Sequence, residues 1–282
     1  MTASLQPKTI VAYLPAVAAA ERLLDVALPL VGRFQAHLTG LHVIPHIPIY
    51  VDAGMGVGAD FYNAQDRMLA EEADRTEATY KARLGAAGVE GDWVRLPSED
   101  EPAMRSAIAF CRTADLVVAS QYDETLPGAA AYFPEDLVLG AGRPVVLVPT
   151  QGRFAEIGRR VLIAWSGTRE SGRAAFDALP LLTDAAEVRV LLIGRSGVDD
   201  PRGQSARDLA ETLRRHGVAA EATIAPPGEG PIADQILRHA ADYGADLMVM
   251  GCYGHSRLRE TIFGGVTSGV LDRMSLPVLM SY

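Results

Sequence analysis

The stretch Asp246-Leu-Met-Val-Met-Gly251-Cys-Tyr-Gly254, followed at a distance by Gly264-Gly265-Val266-Thr267, decides how this chain is read. Leu247 to Met250 is a short apolar run, the pattern of a buried strand. It breaks at Gly251, and Gly254 follows three residues later. The paired glycines Gly264 and Gly265 precede Val266 to Met274, which suits a helix. Glycine lacks a Cβ, so its backbone approaches a ligand closely and accepts positive φ. A helix starting near Gly264 or Gly265 presents free N–H groups and its positive dipole end to an anion. Strand, glycine loop and helix N-terminus together make a phosphate cradle; the plainer reading is a set of turn glycines in a βαβ crossover.

Outward from this stretch, residues 159–282 read as strands alternating with helices. The strands are Arg160–Trp165, Glu187–Ile193, Ala219–Ile224, Leu247–Met250 and Pro277–Met280. Helices fall at Arg169–Leu182, Gln204–His216 and Pro231–Tyr243, with Pro231 suited to a first helical turn. That alternation implies right-handed crossovers and a parallel sheet. The same order recurs in the first half of the chain. Ile10-Val-Ala-Tyr13 resembles Leu162-Ile-Ala-Trp165, and Ala27-Leu-Pro-Leu30 resembles Ala178-Leu-Pro-Leu181. Ala114-Asp-Leu-Val-Val118 parallels Ala245-Asp-Leu-Met-Val249, and Arg143-Pro-Val-Val146 parallels Leu276-Pro-Val-Leu279. Four matches in one order point to a duplication. The first half adds a Pro- and Gly-rich loop at 45–58 and a long helix from Phe61 to Leu84. The boundary falls in Pro149–Gly158, a short polar connector.

Composition agrees. The 282 residues suit two units of ordinary domain size, and 49% are hydrophobic but only 6% aromatic. An aliphatic bias of this kind fits parallel sheets covered on both faces. The net charge of −9 disfavours a nucleic-acid-binding surface. No apolar run reaches a membrane span, and residues 1–30 lack a secretory pattern, so no membrane association and a cytoplasmic location are expected. Two cysteines, Cys111 and Cys252, without a CxxC spacing, exclude a disulfide framework or zinc site. Cys111 reads as a small buried hydrophobe, and Cys252 lies inside the glycine loop.

The spacing G-x2-G-x9-G resembles the nucleotide loop of the universal stress protein family, with Gly251, Gly254 and Gly264 on its three glycines. Where that family usually has Ser or Thr next, this chain has Gly265; Thr267 is the nearest hydroxyl. The resemblance implies an α/β fold of two tandem Rossmann-like (adenine nucleotide alpha hydrolase-like) domains. Each would be a five-stranded parallel sheet with helices on both faces, packed as a pseudo-dimer. Residues 1–149 would be a degenerate domain and residues 159–282 the one carrying the phosphate loop. The family's chemistry is binding in a stress response rather than turnover, and the implied ligand is an adenine nucleotide, ATP, with magnesium as its companion.

The residues so implicated in the second repeat are Gly251, Gly254, His255, Arg257, Gly264, Gly265, Val266 and Thr267. Ala164, Trp165, Ser166 and Gly167, at the end of the first strand of that repeat, join them. Arg259 is an alternative phosphate contact to Arg257. Strand ends of this family often carry an Asp near the adenine and ribose; the matching positions are read as Trp165 and Tyr13. Trp165 either stacks on a purine or fills the pocket.

The first repeat has Ser120-Gln-Tyr-Asp123 in place of Gly251-Cys-Tyr-Gly254, and roughly Phe133-Pro134 in place of Gly264-Gly265. An aspartate and a proline there remove close approach and an N–H, so this repeat is a structural or dimerising partner. Pro277–Met280 and Pro144–Val148 are short apolar edge strands, a pairing liability that an intramolecular pseudo-twofold would hide. Two chains can then associate further as a homodimer.

Other groups have plainer readings. Asp115 and Asp246 end helix-to-strand turns and are structural. His42 and His46 are candidate metal ligands without acidic or thiol companions. Gly228 and Gly230, in Pro226–Pro231, either close over a ligand or turn the chain. No dinucleotide G-x-G-x-x-G, G-x4-G-K-[ST] or G-x-S-x-G occurs. A non-nucleotide interaction module is the alternative to nucleotide binding, and a slow phosphatase or ATPase a third.

Overall fold

The computed structural model describes residues 6–45, 59–97, 103–126, 133–194, 201–252 and 265–282. The first repeat runs β1 (Thr9–Tyr13), α1 (Val17–Phe34), β2 (His37–Ile44), α2 (Ala59–Ala87), β3 (Gly91–Pro97), α3 (Ala103–Cys111), β4 (Leu116–Ser120), α4 (Pro134–Ala141) and β5 (Val145–Val148). The second runs β6 (Arg160–Ala164), α5 (Arg169–Asp177), α6 (Leu179–Leu182), β7 (Glu187–Ile193), α7 (Pro201–Arg215), β8 (Ala220–Ala225), α8 (Ile232–Tyr243), β9 (Leu247–Gly251), α9 (Gly265–Arg273) and β10 (Val278–Ser281).

Among the described residues the strands form one sheet, ordered β3-β2-β1-β4-β5-β10-β9-β6-β7-β8. Each half is a parallel five-stranded doubly wound unit. The halves meet where β10 pairs antiparallel with β5: Val278 lies opposite Leu147, Leu279 opposite Val146 and Met280 opposite Val145. The two apolar last strands therefore hide each other's edges, as their sequences lead one to expect.

Two cores follow, one on each face of the sheet. One gathers α1, α2, α5, α6 and α7, the other α3, α4, α8 and α9. Each core runs through both repeats, so neither half has a core of its own. Burying continuous aliphatic surface on both faces is what a parallel sheet requires.

Alternation along the strands corrects one alignment. Ile10, Ala12 and Leu14 face the first core with Val161, Ile163 and Trp165, while Val11 and Tyr13 face the second with Leu162 and Ala164. Tyr13 therefore matches Ala164, and Leu14 matches Trp165, one residue away from the sequence-based match of Tyr13 to Trp165. A one-residue slip would turn every side chain to the wrong face.

Three other expectations change. The stretch Arg169–Leu182 is two helices rather than one, joined at Ala178. Pro180, which has no N–H to donate, is the second residue of the latter, which begins at Leu179. The matching Pro29 lies inside the unbroken α1. Pro231 is the N-cap residue of α8 rather than its first helical residue. The connector is not merely polar: Ile157 is buried and Phe154 packs on the first core.

Asp115 and Asp246 are structural, by matching means. The Asp115 carboxylate accepts the N–H groups of Lys8 and Thr9 at 2.8 and 3.0 Å. Asp246 accepts those of Gly158, Arg159 and Arg160 at 2.7 to 3.1 Å. In each repeat the residue before the fourth strand thus pins the entry to the first.

Candidate functional site

Strand order reverses between β6 and β9, where neighbouring crossovers leave on opposite faces and a crevice opens at the carboxyl ends. Ala164 pairs with Met250 there, and Gly251 with Ser281. The loop 165–168 leads to α5 on one face and the β9–α9 connection leads to α9 on the other. Ala164, Trp165, Ser166, Gly167 and Gly251 therefore gather at one end of the sheet.

Each has a definite local cause. The Trp165 N–H donates to Leu191 O at 2.8 Å. Its indole N–H donates to Ser205 Oγ of α7 at 2.9 Å, and the half-buried ring packs on the first core. Ser166 is exposed, its Oγ 3.0 Å from Thr168 Oγ1. Gly167 is exposed with φ of +76°, the left-handed region that favours glycine. Thr168 caps α5, its Oγ1 accepting the Ser171 N–H at 3.3 Å while Ser171 Oγ accepts the Thr168 N–H at 3.1 Å. Burial alone would raise the Glu170 carboxyl. A backbone N–H, Thr168 and the Arg169 guanidinium outweigh burial and hold it low.

Gly251 has a packing reason to be glycine. A Cβ there would lie 2.5 Å from Glu170 C and Ser171 N, so only glycine lets the first turn of α5 rest on the strand end. Cys252 is fully buried and donates its N–H to Ser281 O at 2.9 Å. Burial, and then the Glu135 charge, pushes its thiol up, which favours the protonated form. Burial alone pushes Cys111 up to about 12.

Gly265 is the exposed first residue of α9, and a Cβ built on it meets no atom of the described residues within 4 Å. Val266 packs on the second core and Thr267 is buried in the first turn. Gly254, His255, Arg257, Arg259 and Gly264 lie outside the described residues.

The matching corner of the first repeat is built differently. Gln121 repeats the backbone bond of Cys252, donating its N–H to Val148 O at 2.8 Å. Its side-chain amide accepts the Thr150 N–H at 3.0 Å and donates to Leu271 O of α9. Asp123 turns on itself, Oδ1 accepting from Thr125 N–H at 3.0 Å and Thr125 Oγ1 at 2.6 Å. Pro134 opens α4, and the exposed rings of Tyr122 and Phe133 stack at 6.1 Å. At α1 the N-cap is Ala16, which offers no side-chain acceptor; Glu72 of α2 supplies one, accepting the Val17 N–H at 2.9 Å. A carboxylate of the chain itself closes that helix N-terminus.

Sequence reading missed Glu72 and Gln121. A signal for the first exists: Glu72, Thr76 and Tyr80 share one helical stripe and all are buried, so Glu72 is a polar residue on a core-facing stripe. Gln235 was missed too. Its amide accepts the Gly228 N–H at 2.7 Å and donates to Gly228 O and Gly230 O at 3.1 and 3.0 Å, so loop 226–231 is tied down as a turn.

His42 holds Leu14 O by Nδ1 at 2.8 Å and stacks on Trp93, with burial lowering its pKa. His46 lies outside the described residues, among which no group of three or more metal-ligating side chains occurs. No described helix is long and apolar enough to cross a membrane.

The family model described as the Universal stress protein family matches residues 158–281. A universal stress protein of Synechocystis is 25% identical over 169 residues, an alignment covering 58% of this chain and 57% of that protein. The chain thus spans little more than half the length of that relative. A universal stress protein of Bacillus subtilis is 28% identical over 146 residues, 43% of this chain and 97% of that protein. The crystal structure of a universal stress protein from Archaeoglobus fulgidus superposes with a TM-score of 0.69 at 16% identity, covering 96% of this chain and 95% of that one. That likeness is one of fold and extends over both repeats.

Proposed function

Residues 158–281 belong to the universal stress protein family, and from that premise we propose that the second repeat binds an adenine nucleotide, ATP, as a regulatory ligand. The observation that carries this reading is the N-terminus of α9. Its first described residue is an exposed glycine with no described side chain or backbone crowding it, at the carboxyl end of β9 where the strand order reverses. Phosphates there meet the backbone N–H groups of Gly265, Val266 and Thr267 and the positive end of the helix dipole. Gly254 and Gly264 belong to the same loop by sequence, with His255 and Arg257 as its charged or polar contacts. Ala164, Ser166 and Gly167 form the opposite lip, and Trp165, pinned to Ser205, is a fixed wall.

Magnesium fits only through the nucleotide. Among the described residues the crevice offers the hydroxyls of Ser166, Thr168 and Thr267, while the nearby Glu170 carboxylate is engaged by Arg169 at 3.1 Å. Phosphate oxygens and water would supply the remaining ligands. The second reading, an interaction module without nucleotide, is favoured by the missing hydroxyl at Gly265 and by Trp165.

Mass spectrometry of ligand released from the purified chain, followed by calorimetry with ATP, tests the reading. One ATP per chain is expected. Gly254→Asp, which imports the residue of the first repeat, should weaken binding about tenfold or more, roughly 1.4 kcal/mol, with an unchanged circular dichroism spectrum. Unchanged affinity would show the loop to be only a turn. Absence of both ligand and heat would favour the second reading.

A further inference from the structure

We propose that the cleft between the two repeats binds a small zwitterion with an apolar side chain, that is, a hydrophobic α-amino acid. The cleft is a half-open depression of about 290 Å³ between α1, the inter-repeat connector and the turn after α6. Ligand pockets run from about 300 to 1,000 Å³, so its size suits a small metabolite rather than a nucleotide. Its floor is apolar: Val26, Leu30 and Ile157 are buried, and the half-buried Phe154 lines one wall.

Four charged side chains ring this floor. Two of them are committed to each other. Arg33 Nε lies 3.2 Å from Asp184 Oδ2, and its other arm donates to Leu181 O at 2.9 Å, tying α1 to the second repeat. Glu156 and Arg159 remain. Both line the cleft and both are exposed, and neither side chain has a hydrogen-bonded or ion-paired partner among the described residues. The cleft therefore offers one carboxylate, one guanidinium and an apolar floor. That set complements an ammonium, a carboxylate and an apolar side chain held on one carbon. Guanidinium and carboxylate also make the strong bidentate pair expected at such a site.

The cleft has no counterpart across the pseudo-twofold, because the connector that supplies Phe154, Glu156, Ile157 and Arg159 occurs once. One site per chain follows, independent of the crevice at β6 and β9.

The test is titration of the full ¹⁵N-labelled chain with L-phenylalanine, followed by amide shifts. Saturable shifts confined to residues 26–33, 154–159 and 184 are expected, with one site per chain. The analogues 3-phenylpropionate, lacking the ammonium, and phenethylamine, lacking the carboxylate, should each bind about tenfold more weakly. Arg159→Gln should weaken phenylalanine and phenylpropionate but leave phenethylamine unchanged; Glu156→Gln should weaken phenylalanine and phenethylamine but leave phenylpropionate unchanged. Both replaced side chains are exposed, and an unchanged melting temperature checks the fold of each variant. The proposal is overturned if no saturable shift appears by about 10 mM, if the shifts survive both substitutions, or if either analogue binds as well as phenylalanine.

Discussion

At the end of β4, Ser120 carries a Cβ and Gln121 reaches across to the last turn of α9; at the matching end of β9, Gly251 has no Cβ and Cys252 stops in a buried thiol. The helix that follows the first strand differs in step. In the first repeat its N-terminus is closed by Glu72, and in the second by its own Thr168 and Ser171. The following helix begins with a proline in one repeat and an open glycine in the other. One scaffold thus carries two chemistries at its strand ends. The difference lies in which groups occupy the helix N-termini, not in the order of the strands.

The sharpest way to break this comparison is Gly251→Ser, which gives the second repeat the residue of the first. Its Cβ would press on the backbone of Glu170 and Ser171, and overpacking against backbone should cost about 3 kcal/mol. Urea denaturation reads the loss; a midpoint shift near zero would mean that α5 does not need the close approach.

Next in size is Glu72→Ala, which strips α1 of the side-chain cap supplied by Glu72 and should cost about 1 to 2 kcal/mol at pH 7. Burial raises this carboxyl, but Arg75 and the Val17 N–H outweigh burial and hold it below its ordinary value. A lowered folded value means the stabilisation is present above the ordinary carboxylate range and is lost as pH falls through the lowered one. The gap between wild type and variant should therefore close on acidification. A gap constant with pH would assign the effect to packing alone.

Glu135→Gln probes the opposite sign. Burial, helped by the charges of Asp136 and Asp272, raises the Glu135 carboxyl despite a backbone N–H. A raised carboxyl costs stability once pH exceeds its folded value and costs none below the unfolded one. The variant should melt higher than wild type at pH 7, with the gain fading towards about pH 4. Differential scanning calorimetry at both pH values checks it, and a lower melting temperature at pH 7 would contradict it.

The smallest effect on stability belongs to Gly265→Ser. With no described residue within 4 Å of a Cβ at that position, the change should stay within about 0.5 kcal/mol. The added hydroxyl should nonetheless tighten ATP several-fold, in line with about 1 kcal/mol for one hydrogen bond. Calorimetry would show the gain; weaker binding would place the phosphates away from α9.

Much of this architecture was legible because strands, helices and the repeat are written in local patterns. Short apolar runs such as Pro144–Val148 and Pro277–Met280 announced buried strands, and their exposed edges announced the pairing of β5 with β10. The offset at β1 slipped by one residue because Ala12 and Ala164 are small and apolar in similar runs, although they face different cores. The break at Pro180 was equally present in the sequence, but Pro29 shows that a proline at the matching place need not end a helix. Glu72 and Gln121 escaped because their partners lie 55 and 150 residues away, beyond any local pattern. Of the glycine loop, Gly251 has a packing role that spacing alone does not reveal, while Gly254, His255, Arg257 and Gly264 lie outside the described residues.

The antiparallel seam between β5 and β10 has a consequence for divergence. Two separate copies meeting across such a seam must carry every substitution twice, so a residue useful at one strand end is imposed on the other. Covalent linkage removes that constraint. Gln121 can span from one half to α9 while the matching position is a cysteine, and a proline can start α4 while α9 keeps its glycine. Linkage also makes the pairing of the halves intramolecular, so it survives dilution that would dissociate separate copies. A chain of this kind can give up one strand end and keep the assembly that the other depends on.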